Sequence, residues 1–181
     1  MDPAKLAQQI GEEKLPPVDS WNPPFCGDMD MVIKRDGTWM YMGSPIGRKK
    51  LVKLFSTVIR KDDDEYFLVT PVEKVRITVE DAPFVAVLME VSNDNDEQAL
   101  VFTDNVGNQF IAGEEHPIRV EIDPDTKEPS PYVLVRKNLW ALIHRPVFYQ
   151  MVEMADVIQK ENKEWLVISS QGQSFELGTT E

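Results

Sequence analysis

The 181-residue chain sets 19 Lys and Arg against 31 Asp and Glu, a formal net charge of -12, with 42% hydrophobic and 28% charged residues. This is an ordinary globular composition, but without a basic face it excludes a general nucleic-acid binder, and acidic runs at 62–65 (DDDE) and 94–97 (DNDE) reinforce that. No apolar run approaches the roughly 20 residues of a membrane span, the N-terminus lacks a secretory signal's apolar core, and one cysteine permits no internal disulfide, so the cytoplasm is the expected location.

The N-terminal MDPAKLAQQIGEEK reads as a short amphipathic helix, with Asp2 as N-cap, Pro3 at the first helical position and Leu6 and Ile10 inward. A connector follows, KLPPVDSWNPPFCGD, whose prolines favour extended chain and whose Trp21 and Phe25 would pin it to the body. MDMVIKRDGTWMYMG then predicts two strands joined at Asp36-Gly37. Trp39 and Tyr41 face one way on the second strand, Met40 and Met42 the other.

A helix is predicted from about Ser44 to Arg60, with Ser44 as N-cap, Pro45 at N1, and Leu51, Leu54, Phe55, Val58 and Ile59 as its apolar stripe. Strands follow in EYFLVT, EKVRITVED and FVAVLMEV, and SNDNDE at 92–97 reads as the best internal boundary. Beyond it come a hairpin (LVFTDNVGNQFIAG), the strand HPIRVEI, a DPDTKEP turn and YVLVRKNLWALI. Arg145-Pro146 opens a second helix with Phe148, Met151, Val152 and Ala155 inward, and the hairpin EWLVISSQGQSFELG closes the chain. MVIKRDGTWMYMG, LVFTDNVGNQFIAG and LVISSQGQSFELG share a pattern of apolar strand, glycine-bearing turn and closing glycine, which favours duplication. The predicted fold class is α+β: two small, mostly antiparallel β-rich domains, each with one amphipathic helix. The boundaries are 1–27 for helix and connector, 28–92 for the first domain and 93–181 for the second, with a cleft expected between them.

Few residues suggest chemistry. GSPIGRKK at 43–50 resembles a phosphate loop only in outline: three residues separate Gly43 from Gly47, and Arg48-Lys49-Lys50 replaces the required Lys-Ser/Thr. Cations at a helix start oppose its dipole unless an anion joins them. At about 100° per residue, Lys49, Lys50 and Lys53 fall on the polar face, while Arg48 shares the sector of Leu51, Phe55 and Ile59. An inward Arg48 needs either an ion pair with Asp28, Asp30 or Asp81, or a ligand anion. Arg145 repeats the theme beside His144 and Tyr149. Lys74 and Arg76 share a strand face with Glu80, where cross-strand pairing competes with a ligand role. Trp39 and Tyr41 could stack a base, or be core. Cys26 is expected to pack rather than react, and two histidines in separate segments give no metal-ligand spacing. No catalytic set, metal or cofactor is indicated.

Three strings taken together, WNPPFCGDMDMVIKRDGTWMYMGSPIGRKKLVKLFSTVIRK, YFLVTPVEKVRITVEDAPFVA and RPVFYQMVE, resemble the bacterial domain-of-unknown-function family 1285. The resemblance runs from about Trp21 over nearly the whole chain and loosens after Glu153. It implies a duplicated two-domain α+β fold, a second half like a pleckstrin-homology barrel, a nucleotide-like ligand between the domains and a role in signal transduction. It carries no enzyme activity. The expected function is therefore a non-catalytic regulatory module for a small anionic ligand, with Arg48 and Arg145 or Lys74 meeting its charge and Trp39 or Tyr41 its flat part. The alternative is a protein-interaction module accepting a partner strand in its second half. Third comes an enzyme acting through Cys26 or the acidic clusters, which would need an exposed thiol near a base such as His144.

Overall fold

Asp36-Gly37 turns the chain as its chemistry demands: Gly37 takes φ 93°, and Lys34 N–H donates to the Thr38 carbonyl at 2.8 Å across the turn. This hairpin lies in the first of two units of the computed structural model, which divides at Pro83/Phe84 and describes residues 2–10, 15–94 and 96–180.

In the first unit, helix α1 (Pro3–Gln9) is capped by Asp2, whose carboxylate accepts from Ala4 N–H at 3.0 Å. Strands β1 (Phe25–Ile33), β2 (Trp39–Tyr41), β3 (Ser44–Pro45), β4 (Ile59–Asp62), β5 (Glu65–Val69) and β6 (Lys74–Val79) form one sheet in the order β3-β2-β1-β6-β5-β4. Only β1 and β6 are parallel. Alternation buries Met29, Met31 and Ile33 on β1 and Val75 and Ile77 on β6. Leu6 of α1 and Phe55 of α2 (Lys49–Ser56) complete the core.

Helix α2 is much shorter than the predicted span from Ser44 to Arg60. Met42 and Gly43, φ 50° and 81°, make a tight turn that folds Ser44 and Pro45 back beside Tyr41 and Met40 as β3. The Ser-Pro pair that resembles a helix start is therefore spent on a strand, and the cap falls to Arg48. At the other end the β-branched Val58-Ile59 leaves the helix, and β4 begins. The acidic DDDE at 62–65 is the β4–β5 turn, with Asp63 at φ 55°.

In the second unit, β7 (Phe84–Asp94), β8 (Glu97–Asp104), β9 (Gln109–Ile111), β10 (Ile118–Ile122), β11 (Pro129–Arg136) and β12 (Leu139–Ile143) form a sheet in the order β10-β11-β12-β7-β8-β9. Of residues 92–97, predicted as the boundary between domains, 92–94 and 97 instead belong to the long β7–β8 hairpin, where Asp94 pairs with Glu97 near its tip, and 95 lies outside the described residues. A polar, acidic stretch without apolar period reads alike for a linker and a hairpin tip. Division at 83/84 also replaces the predicted domain limits 28–92 and 93–181, and the strand beginning at Phe25 makes the connector 1–27 part of the first unit.

Both sheets follow one plan. In each, the first and sixth strands pair in parallel at the centre, strands one to three run outward on one side, and strands four to six return on the other. The three similar hairpins do not mark this repeat. MVIKRDGTWMYMG spans strands one and two of its sheet and LVFTDNVGNQFIAG strands two and three, while LVISSQGQSFELG lies outside both six-stranded sheets. Nor are the helices equivalent, since α2 joins strands three and four whereas α3 (Arg145–Met154) follows strand six.

Helix α3 buries Val147, Phe148 and Met151, with Val152 and Ala155 half-buried. It leads into a third sheet, β13 (Asp156–Lys160), β14 (Lys163–Ser170) and β15 (Gln173–Thr179), in which β13 was not foreseen. The buried Ser170 hydroxyl joins this sheet to the second, accepting from Leu100 N–H at 2.9 Å and donating to the Ala112 carbonyl at 2.7 Å.

Candidate functional site

The start of α2 is built by competition for backbone. After β3, Ile46 N–H donates to the Trp39 carbonyl at 2.9 Å, and Gly47 leads into Arg48. Arg48 serves as N-cap with extended backbone and no side-chain cap bond. The first turn holds no acidic residue. Because the helix starts four residues later than predicted, Arg48 does not lie on its inward stripe: it is exposed, as are Lys49 and Lys50. None of the three side chains has an ion pair with a described residue, and the expected partners Asp28 and Asp81 instead engage Arg76 and Arg35. Three cations without an ion pair among the described residues thus crowd the positive end of a helix dipole.

Four other cations of this unit, Arg35, Arg60, Lys74 and Arg76, are paired with carboxylates. Lys74 reaches Asp62 at 2.8 Å and lies 4.1 Å from the Phe67 ring centre, so cross-strand pairing governs it. Arg60 bonds Asp62 at 3.0 Å and donates to the Val18 and Trp21 carbonyls at 2.9 and 2.8 Å, tying the connector to β4. Arg76 pairs with Asp28 at 2.5 Å and Glu65 at 2.9 Å, with Phe25 5.3 Å away. Register puts these groups in rows: Arg60 is opposite Phe67, Phe67 opposite Arg76, and Arg76 opposite Asp28. The alternation of EKVRITV could have signalled this lattice, but its partners are 11 and 48 residues distant. Hydrogen bonding to Arg76 holds the Asp28 carboxyl below its ordinary pKa. At Asp62 burial pushes upward, but bonds from Arg60 and Lys74 prevail and the net shift is downward.

Trp39 is core rather than a platform: it is 2% exposed and stacks on Phe55 at 6.4 Å. Its Nε1 has no hydrogen-bond acceptor among the described residues. Tyr41 is half-buried at the end of β2. Cys26, expected to pack, is exposed, its Sγ 3.3 Å from the Pro24 carbonyl. It lies near the start of β1, before the buried alternation begins.

In the second unit, His144 is the N-cap of α3 and Arg145 its first residue, both exposed, and Tyr149 is 58% exposed one turn on. Arg145 and Tyr149, four apart, share a helix face. The remaining histidine, His116, is engaged, Nδ1 lying 2.9 Å from the Leu134 carbonyl. Asp104, which sequence reasoning missed, is buried and accepts from Val106 N–H, Asn108 N–H and Asn108 Nδ2 at 2.8–3.0 Å, shaping the β8–β9 turn. Burial raises its pKa, opposed by these bonds and by the Arg136 charge. No group of three or more His, Cys, Asp or Glu that could hold a metal occurs among the described residues, and no described helix is long and apolar enough to cross a membrane.

Comparison with known proteins supplies a family. Residues 16–82 match the model of the domain of unknown function DUF1285, N-terminal domain, and residues 83–177 that of the DUF1285 C-terminal domain. No curated protein matches. A DUF1285 family protein from Silicibacter pomeroyi DSS-3 is similar over 99% of this chain and 96% of its own, with 47% identity and a TM-score of 0.89. Another, from Shewanella baltica OS155, is 30% identical over 71% of this chain and 94% of its own, with a TM-score of 0.55. Matched along both units, the chain belongs to the DUF1285 family.

Proposed function

We propose that the protein is a non-catalytic bacterial regulatory module, acting in the cytoplasm in signal transduction, that binds a small anionic, nucleotide-like ligand through the cations at the start of α2. The observation carrying this reading is the triplet Arg48, Lys49 and Lys50: exposed, without ion pairs to described residues, and at an uncapped helix start with no acid in its first turn. Each such cation costs about 0.3–1 kcal/mol against the helix dipole. A phosphate turns that cost into attraction, accepting from free N–H groups and cations together. Lys74 and Trp39 drop out of the ligand set, the one paired and the other packed. A flat group would rest on Tyr41, or on Tyr149 if the anion is held by Arg145 and His144 in the second unit.

The test is a thermal-shift screen with nucleotides, cyclic dinucleotides and phosphorylated metabolites on the intact protein, Arg48→Ala and Arg145→Ala. Ligand at 100 times its dissociation constant adds about 2.7 kcal/mol of stability. A shift lost in Arg48→Ala and kept in Arg145→Ala supports the α2 site, and the reverse pattern moves the anion to α3. No shift with any anion overturns the ligand reading.

A further inference from the structure

Strand β13 ends the third sheet, with β14 on one side and no described strand on the other. All five of its residues are exposed, and Val157 (56%) and Ile158 (41%) present apolar side chains on opposite faces. Solitary edges are usually blunted by proline, a bulge or a central charge. Here the charges, Asp156 and Lys160, stand only at the two ends. Glu161 and Asn162, φ 55° and 63°, form a two-residue turn of the I′ kind. The flanking pair Lys160–Lys163 therefore exchanges backbone hydrogen bonds, and by alternation so do Ile158–Trp165 and Asp156–Val167. That leaves the N–H and C=O groups of Val157 and Gln159 pointing away from β14.

We propose that β13 pairs antiparallel with β13 of a second copy of this chain, about a two-fold axis at Ile158, joining two three-stranded sheets into one of six. In this register Val157 of each copy exchanges both backbone hydrogen bonds with Gln159 of the other. Asp156 of each copy meets Lys160 of the other, so D-V-I-Q-K complements its own reverse in charge. A slip of one residue sets outward-pointing groups against inward-pointing ones. A slip of two leaves one end unpaired and opposes neither charge with its counterpart. Lys160 already bonds Glu176 at 2.7 Å within its own chain and has two further donors for the second copy. A five-residue strand edge, about 17 Å long, covers only part of the roughly 800 Å² per partner that a standard interface buries. The dimer is accordingly a weak and reversible one.

Sedimentation velocity of the full chain from about 1 to 500 µM tests this directly. A reversible dimer is expected, weakened at least about fivefold by Asp156→Lys or Lys160→Asp alone and restored by the two together. Val157→Pro removes an outward N–H that β14 does not use and should abolish the dimer while circular dichroism stays unchanged. If that variant loses the hairpin, the charge-exchange series still decides. A chain monomeric at the highest concentration, or a dimer indifferent to both single charge exchanges, overturns the proposal.

Discussion

In the first unit, ionised groups lie on the sheet surface and neutralise one another: Arg60 and Lys74 converge on Asp62, and Arg76 bridges Asp28 and Glu65. In the second, a carboxylate is buried. Asp104 sits in a tight turn held by three hydrogen bonds, with burial acting against its charge. The two sheets nevertheless follow the same strand order. One topology therefore tolerates two ways of satisfying polar groups, because strand order is set by apolar faces and turn geometry, while each polar group needs only a local partner. The helices differ for the same reason: each covers an apolar sheet face, and an insertion after strand three can serve as well as one after strand six.

The comparison can be broken most forcefully at the cores. Phe55→Ala removes the ring stacked on Trp39 and should cost the first unit about 3–5 kcal/mol, read by chemical denaturation. Ser170→Ala strands a buried N–H and a buried carbonyl in the second unit, at about 2–4 kcal/mol. Its signature is faster amide exchange at Leu100, where the N–H loses its acceptor. Arg60→Met frees the connector from β4 at about 1–3 kcal/mol, so limited proteolysis between Val18 and Trp21 should accelerate. Arg76→Ala, at an exposed and solvent-screened ion pair, should shift the denaturation midpoint least of these variants, and less still in high salt.

Acid sharpens the contrast by sign. Asp62 has a depressed pKa in the fold, so its stabilisation is present above the ordinary carboxylate value and fades as pH falls through the folded value. Asp104 has a raised pKa, so its contribution is full below the unfolded value and is lost as pH rises through the folded one. Asp62→Asn should therefore flatten the acid limb of the stability profile, and Asp104→Asn the rise in instability on the less acidic side. Equal slopes in wild type and both variants would show that neither carboxylate distinguishes the units.

Legibility followed range. The Asp36-Gly37 turn, the alternation on β6, the β8–β9 hairpin and the Pro-initiated α3 were readable because neighbours within a few residues decide them. Ser44-Pro45 misled because its local signal, a helix start, lost to pairing with Met40 and Tyr41. Arg48 misled in consequence: a four-residue error in the helix start turns an exposed cation into an apparently inward one. The charged rows of β1, β4, β5 and β6 were hidden, since sequence shows which residues share a strand face but not which strand lies beside it.

The sequence by itself determined an α+β chain of acidic character, most of its strands and turns, two of its helix positions and its family resemblance. Those depend on periodicity, turn chemistry and long ordered strings. Tertiary structure alone decided where the chain divides, which first and sixth strands pair at the centre of each sheet, which cations are spent on Asp62, Asp28 and Glu65, and that β13 has no second neighbour among the described strands. Each of those is a meeting of residues distant along the chain, selected by how the apolar faces are buried together, and no local pattern records it.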